Sequence, residues 1–276
     1  MNEHEKYFFD VNGYLVVPQI LSTALVAALN EAIDHNQDRV RLRAGEQLLS
    51  ASSPVLQGDH GRGDIMGILN WPKPWCQPFR DLLSHPLALR YMFDLIGDEF
   101  RFGNANGISM TEGAEGCVLH GGGTLVHKHT YRYVNGRMWN NLVGICYQLA
   151  DVNPGDGGFV CIPGSHKANF DTPADVLTME YDLGCYHHVA MKAGDALIFT
   201  EGLTHGTLPW QGKHERRTLL YRYAAGPFVN AKGMNRLEEY CPFYDELTPL
   251  QQAIMEPPYN PGRPNIAALL AAEEAV

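Results

Sequence analysis

No apolar run in this chain is long enough to span a membrane. Its six cysteines, at positions 76, 117, 146, 161, 185 and 241, form no CxxC pair, so neither a zinc ribbon nor a dithiol redox motif is present. They read as buried free thiols in a reducing compartment. Basic residues are few: 21 Lys and Arg stand against 31 Asp and Glu, for a formal net charge of −10. With no basic block, the electrostatic footprint needed to bind a nucleic-acid polymer is missing. A local basic pocket for a small anion remains compatible with this balance. Only 19% of residues are charged and 45% are hydrophobic, which argues for a sizeable folded core rather than disorder. The opening MNEHEKYFFD has no apolar signal region and no twin arginine, so a cytoplasmic location is expected. No internal repeat or low-complexity linker divides the chain, and nothing in it sets an oligomeric state.

What is present changes character along the chain. Tyr14–Val17 reads as a short strand, followed by a helix with Ser22 as N-cap and Leu25, Ala28, Leu29, Ala32 and Ile33 at helical spacing. A second helix is expected from about Ser84 to Gly97. The Gly-, Ser-, Pro- and Trp-rich stretch 43–75 is too long for an idle loop and is expected to cover a site in part. From about residue 100, short apolar stretches alternate with turn residues. They are 100–102, 107–110, 117–120, 142–149, 159–162, 189–192, 196–199 and 218–223, with a hairpin turn expected at Ala193-Gly194-Asp195. Such spacing predicts a sandwich or barrel rather than a βαβ sheet. A final helix is expected to start with Thr248 as N-cap and Pro249 at its first position. The expected organisation is one domain over 1–276: a helical part to about 99, a β core over about 100–226, and an extension over 227–276.

Four of the twelve histidines lie near strand ends in the β region: His120, His127, His129 and His205. Two histidines and one carboxylate on one face suit an iron(II) centre that keeps positions open for a bidentate keto acid and O2. Downstream of His205 comes Arg216-Arg217-Thr218. Alternation along a strand puts Arg216 and Thr218 on one face and Arg217 on the other, and a guanidinium beside a hydroxyl suits a carboxylate. The opposing reading is a pair of surface arginines at a strand start.

The segment Asp151–Lys167, with its Pro163-Gly164-Ser165-His166 turn, resembles the phytanoyl-CoA dioxygenase family. So do Ala193–Phe199 followed by His205-Gly206, the stretch Arg216–Tyr223, and Gly13–Val17 ahead of a helix. In order, these cover nearly the whole chain. The resemblance implies a mainly β fold with flanking helices, a double-stranded β-helix (cupin-like jelly roll). It also implies Fe(II), 2-oxoglutarate and O2 as cofactors, His205 as the distal iron ligand and Arg216 as the anchor for 2-oxoglutarate, with Thr218 beside it. His166 matches a structural turn of the family and is not expected to bind metal.

One departure stands out. The family's proximal His-x-Asp or His-x-Glu is absent between residues 100 and 150. His120-Gly121-Gly122, at the end of an apolar strand, is the favoured replacement, with His127 or His129 as the alternative. If His120 binds iron, Gly122 stands where the carboxylate belongs and leaves that position open to chloride. That pattern resembles the iron/2-oxoglutarate halogenases. Halogenation of an unactivated aliphatic C–H is therefore the favoured expectation. Hydroxylation with a non-standard third ligand is the second, and a non-oxidative β-helix binding protein the third. Lys128, Arg132 and Arg137 with Tyr131, Tyr133 and Trp139 suggest a small anionic substrate, such as a nucleotide. The opposing reading is a solvated loop with ordinary packing aromatics.

Overall fold

The computed structural model describes residues 1–50, 52–121, 130–229, 233–258 and 262–275. Its strands in chain order are β1 (Tyr14–Val17), β2 (Val40–Leu42), β3 (Gly63–Ile65), β4 (Arg101–Met110), β5 (Cys117–His120), β6 (Tyr131–Val134), β7 (Arg137–Asn140), β8 (Leu142–Gln148), β9 (Gly158–Cys161), β10 (His187–His188), β11 (Ala196–Thr200), β12 (His205–Leu208) and β13 (Arg216–Ala224). The helices are α1 (Glu3–Asn12), α2 (Thr23–Asp34), α3 (Gln77–Asp81), α4 (Pro86–Leu95), α5 (Ala174–Leu177), α6 (Leu237–Tyr240), α7 (Pro249–Met255) and α8 (Ile266–Glu273). No helix among the described residues is long and apolar enough to cross a membrane.

Two antiparallel sheets face each other, ordered β1-β11-β8-β13-β4-β3-β2 and β10-β9-β12-β5, with β6 and β7 forming a separate hairpin. This is a mainly β jelly roll with flanking helices. Alternation along β8 and β13 sorts the side chains. Val143, Ile145, Tyr147, Leu219, Tyr221 and Tyr223 face outward into the large core shared with the helices. Cys146 faces inward, meeting Phe159, Cys161, Leu197, Phe199 and Leu203 in the layer between the sheets. Arg216, Thr218, Leu220 and Arg222 share that inward parity.

Local chemistry explains the helix starts. Ser22 caps α2 by accepting from the Leu25 amide at 3.2 Å. Thr248 and Gln251 form a reciprocal capping box at α7, with Pro249 in the first turn. Four expectations are corrected. The stretches 100–102 and 107–110 are one strand, β4, because Asn104 and Asn106 belong to its inward face and interrupt the apolar pattern without interrupting the ladder. The turn at 193–195 exists, but its flanks do not pair as a hairpin. It carries the chain from the four-stranded sheet to β11, whose neighbours are β1 and β8. The helix at Pro249 is not the last, since Asn265 caps α8 beyond it. The apolar run 189–192 makes only a bridge, Val152 to Met191, and the strand precedes it at β10.

Part of the stretch 43–75 has a defined task. The Val118 amide donates to the Leu49 carbonyl at 3.2 Å and the Gly116 amide to the Leu56 carbonyl at 2.8 Å. The Glu115 carboxylate accepts from the Leu49 and Ser50 amides at 3.1 and 3.0 Å and from the Ser50 hydroxyl at 2.6 Å. The stretch thus closes the open edge beside β5, a place where unpaired backbone groups invite association.

Candidate active site

β5 and β12 are neighbours, and their register sets His120 directly opposite His205. The two rings lie 4.4 Å apart between centroids, tilted by 53°. A β-bulge between His205 and Thr207 breaks the ladder at this point, as bulges do where a side chain must be re-aimed. The strand stops at Gly121, whose φ is +91° and where a Cβ would fall 2.3 Å from the Leu203 carbonyl oxygen. Only glycine lets the chain turn away from His120 so close to the His205 loop.

Both imidazoles are oriented alike. His120 Nδ1 lies 3.1 Å from the Val118 carbonyl, and His205 Nδ1 lies 2.7 Å from the Leu203 carbonyl. A carbonyl accepts only, so each Nδ1 carries the proton and each Nε2 keeps its lone pair. His205 is buried and stacked on Phe159, with Phe199 edge-on to it at 4.7 Å. Burial, reinforced by the neighbouring His120, pushes His205 down to about 3 and keeps it neutral. His120 is exposed, which places the pair at the open end of the cleft between the sheets.

A carboxylate stands beside this pair, and sequence reasoning did not single it out. Glu201 is buried, with Oε2 4.0 Å from His205 Nε2 and Oε1 accepting from Arg222 Nε at 2.5 Å. Burial pushes its pKa up, but the Arg222 guanidinium outweighs burial and holds the carboxyl at about 2. The overlooked signals were Glu201 just past the end of β11 and Arg222 sharing the parity of Arg216 on β13. Among the described residues, His120, His205 and any third His, Cys, Asp or Glu do not form a complete metal-binding group. Gly122, His127 and His129 lie outside the described residues, as does Lys128.

Deeper on the same strand, Arg216 is 2% exposed. One terminal nitrogen donates to the Met110 sulfur at 3.1 Å, a weak acceptor, and Nε has no partner. Burial pulls the guanidinium down to about 10, so it is charged at neutral pH. Gly158, with φ at +90°, keeps space beside it, because a Cβ there would sit 3.0 Å from Arg216 Nε. Arg217 faces the other way and pairs with Asp34 and Glu215 at 2.6 and 2.7 Å, as alternation along the strand requires. Thr218 is fully buried, but its hydroxyl donates to Gln148 Oε1 at 2.7 Å. A buried cation lacking a carboxylate partner fits a dicarboxylic keto acid, and two imidazoles with free Nε2 atoms fit iron(II).

His166 is a structural residue. It is 1% exposed, packs against Tyr131 and accepts a place over Gly13, with Nε2 3.2 Å from the Asp10 carbonyl. Tyr131, expected among the substrate-gripping residues, is instead buried and donates to Asp10. Arg132, Tyr133, Arg137 and Trp139 are exposed on the β6–β7 hairpin. A cavity of about 820 Å³ lies between that hairpin, α1 and the end of α4. Tyr133, Arg137 and Trp139 line it together with Lys6, Asp94 and Asp98. None of His120, His205 or Arg216 borders it.

Solved structures share this fold. HygX from Streptomyces hygroscopicus, solved with nickel, 2-oxoglutarate and hygromycin B, has a similar fold. The TM-score is 0.67 at 20% identity, covering 84% of this chain and 90% of that one. SnoK, a non-heme alpha-ketoglutarate-dependent carbocyclase from nogalamycin biosynthesis, gives 0.61 at 16% identity over 87% and 90%. AviO1 from Streptomyces viridochromogenes Tue57 gives 0.59 at 15% identity over 83% and 96%. No curated protein matches by sequence. The model of the family described as phytanoyl-CoA dioxygenase (PhyH) matches residues 9–218, and the chain belongs to that family, within the Fe(II)/2-oxoglutarate-dependent oxygenases.

Proposed function

We propose that this enzyme oxidises an unactivated aliphatic C–H bond of a small molecule, with transfer of chloride as the favoured outcome. The observation that carries the oxidative reading is the pair His120 and His205, with both Nδ1 atoms fixed on carbonyls and, among the described residues, neither Nε2 engaged in a hydrogen bond. Iron(II) bound there with 2-oxoglutarate and O2 supplies C–H oxidation coupled to release of CO2 and succinate. His120 and His205 hold the metal, and Arg216 holds the carboxylate of 2-oxoglutarate farthest from the keto group. Phe159 and Phe199 keep water from the inner side of His205. The glycine at 122, in sequence where the family has a carboxylate, would leave chloride room to bind beside the two histidines. Glu201 supports this, since Arg222 already engages its carboxylate.

A second reading is hydroxylation with Glu201 as the third ligand. It is favoured by the 4.0 Å between Glu201 Oε2 and His205 Nε2. The substrate we propose is small and ring-bearing, met by the exposed aromatics and arginines of the β6–β7 hairpin; an anionic one such as a nucleotide suits Arg132 and Arg137. HygX and SnoN were solved with hygromycin B and nogalamycin RO respectively, both small molecules.

The test uses protein loaded anaerobically with Fe(II) and 2-oxoglutarate, then titrated with chloride and exposed to O2. Iron-dependent succinate, a chloride-dependent change in the visible absorption of the iron–keto-acid complex, and loss of that change in Gly122→Asp are expected. Absence of succinate would retire the oxidative reading. Succinate without any chloride response, together with a large loss of iron affinity in Glu201→Gln, would replace halogenation with the second reading.

A further inference from the structure

Arg216 is not alone in lacking a partner. Gln148 is completely buried, and its Nε2 makes no hydrogen bond among the described residues. Its Oε1 is occupied by the Thr218 hydroxyl at 2.7 Å, so the amide is held with its nitrogen turned away from Thr218. A buried amide nitrogen left unbonded is costly, and native proteins leave few such groups without a reason.

The strand register says where these orphans lie. Gln148 on β8 is directly opposite Thr218 on β13. Arg216, two residues before Thr218, shares its face and is therefore the diagonal neighbour of Gln148. Diagonal neighbours in a sheet are about 7–8 Å apart at the backbone, within reach of one carboxylate between long side chains. Gly158 keeps that space clear on the opposite sheet. One carboxylate oxygen can accept from Arg216 Nε and the other from Gln148 Nε2, satisfying both.

We propose that Gln148 is a binding residue for 2-oxoglutarate, donating from Nε2 to the carboxylate held by Arg216, and that Thr218 positions the Gln148 amide rather than touching the cosubstrate. This rests on the reading of the cleft as a 2-oxoglutarate site and changes the part played by Thr218 within it. Thr218 has one proton to give, and Gln148 takes it. The hydroxyl therefore fixes which end of the amide faces the ligand.

The experiment is an anaerobic titration of the Fe(II)-loaded full chain with 2-oxoglutarate and, separately, with 2-oxobutyrate, which has the keto-acid end but no second carboxylate. Chelation is followed by visible absorption, and iron affinity is measured alongside. Gln148→Met is expected to weaken 2-oxoglutarate binding about tenfold, the worth of one hydrogen bond to a charged group. The same variant should leave 2-oxobutyrate and iron binding unchanged. Thr218→Val should produce a smaller loss with the same selectivity, and Thr218→Ser should restore wild-type binding. Equal weakening of both acids, or no change with 2-oxoglutarate, overturns the proposal. Should Gln148→Met fail to fold, the Thr218 pair decides: loss in Val with recovery in Ser supports it, and no difference between them overturns it. A wild-type protein that binds iron but neither keto acid fails the proposed function itself, and this inference with it.

Discussion

Arg216 and Arg222 sit on the same face of the same strand, the first buried and the second half-buried, yet they are treated oppositely. Arg222 has a carboxylate of its own in Glu201, at 2.5 Å, and a weak further contact with Asn106. Arg216 has a thioether and an empty-handed Nε. A buried cation completed from within is part of the scaffold, because removing either partner strands the other charge. A buried cation left incomplete is tolerable only if a ligand completes it. The difference supports Arg222 as a structural arginine and Arg216 as the proposed ligand contact.

The comparison can be broken most directly by removing each guanidinium. Arg222→Leu should destabilise the fold by about 3–5 kcal/mol, the usual cost of leaving a buried charge unpaired. Adding Glu201→Leu should recover much of that loss, as neighbouring sites are not additive. Arg216→Leu should cost little stability, or gain some, while weakening 2-oxoglutarate binding about a hundredfold. Urea unfolding and keto-acid titration of the same three proteins check this; equal destabilisation by both leucine substitutions would abolish the distinction.

A third buried group sharpens the contrast by giving up its charge. Burial, with help from Lys167, lowers His166 to about 4, against an ordinary value of 6.5. Its unfolded form therefore binds more protons than the folded form between those values. Its contribution is fully present above pH 6.5 and is lost as pH falls towards 4, by up to about 3 kcal/mol. The urea midpoint should fall over that window, and His166→Gln should flatten the fall. An unchanged pH slope in the variant would show that His166 does not titrate as its burial requires.

The smallest expected effect is at Gly158→Ala. A methyl 3.0 Å from Arg216 Nε, on a backbone with φ at +90°, should cost about 1 kcal/mol of stability. It should also weaken 2-oxoglutarate several-fold while sparing 2-oxobutyrate. Loss of stability with unaltered keto-acid binding would place the strain outside the cosubstrate space.

The two histidines proposed as ligands were legible because His120 ends an apolar strand and His205 follows one after a short loop, a pattern that survives in one dimension. Arg216 was legible for the same reason, since parity along β13 separates it from Arg217. The Glu201–Arg222 pair was not, because it depends on the strand order within one sheet, where β11 and β13 flank β8 rather than each other. Thr218 was read as a cosubstrate contact because its parity matched Arg216. Only the cross-strand register reveals Gln148 as the recipient of its proton. β4 was split in two because the cleft needs asparagines where a simple core strand would carry aliphatics. The first helix was missed for a related reason: its capping box, Asn2 with Glu5, is hidden in a charged stretch that buries only Phe9.

The clasp along β5 carries a further consequence. His120 is the last residue of an outermost strand, and the backbone that steadies this strand on its free side comes from Leu49 and Leu56, held in turn by Glu115. If His120 holds iron as proposed, metal occupancy and the ordering of that remote clasp are coupled equilibria: whatever loosens Ser50 from Glu115 should dilute the metal-competent population, and metal should in return slow hydrogen exchange at the Val118 and Gly116 amides.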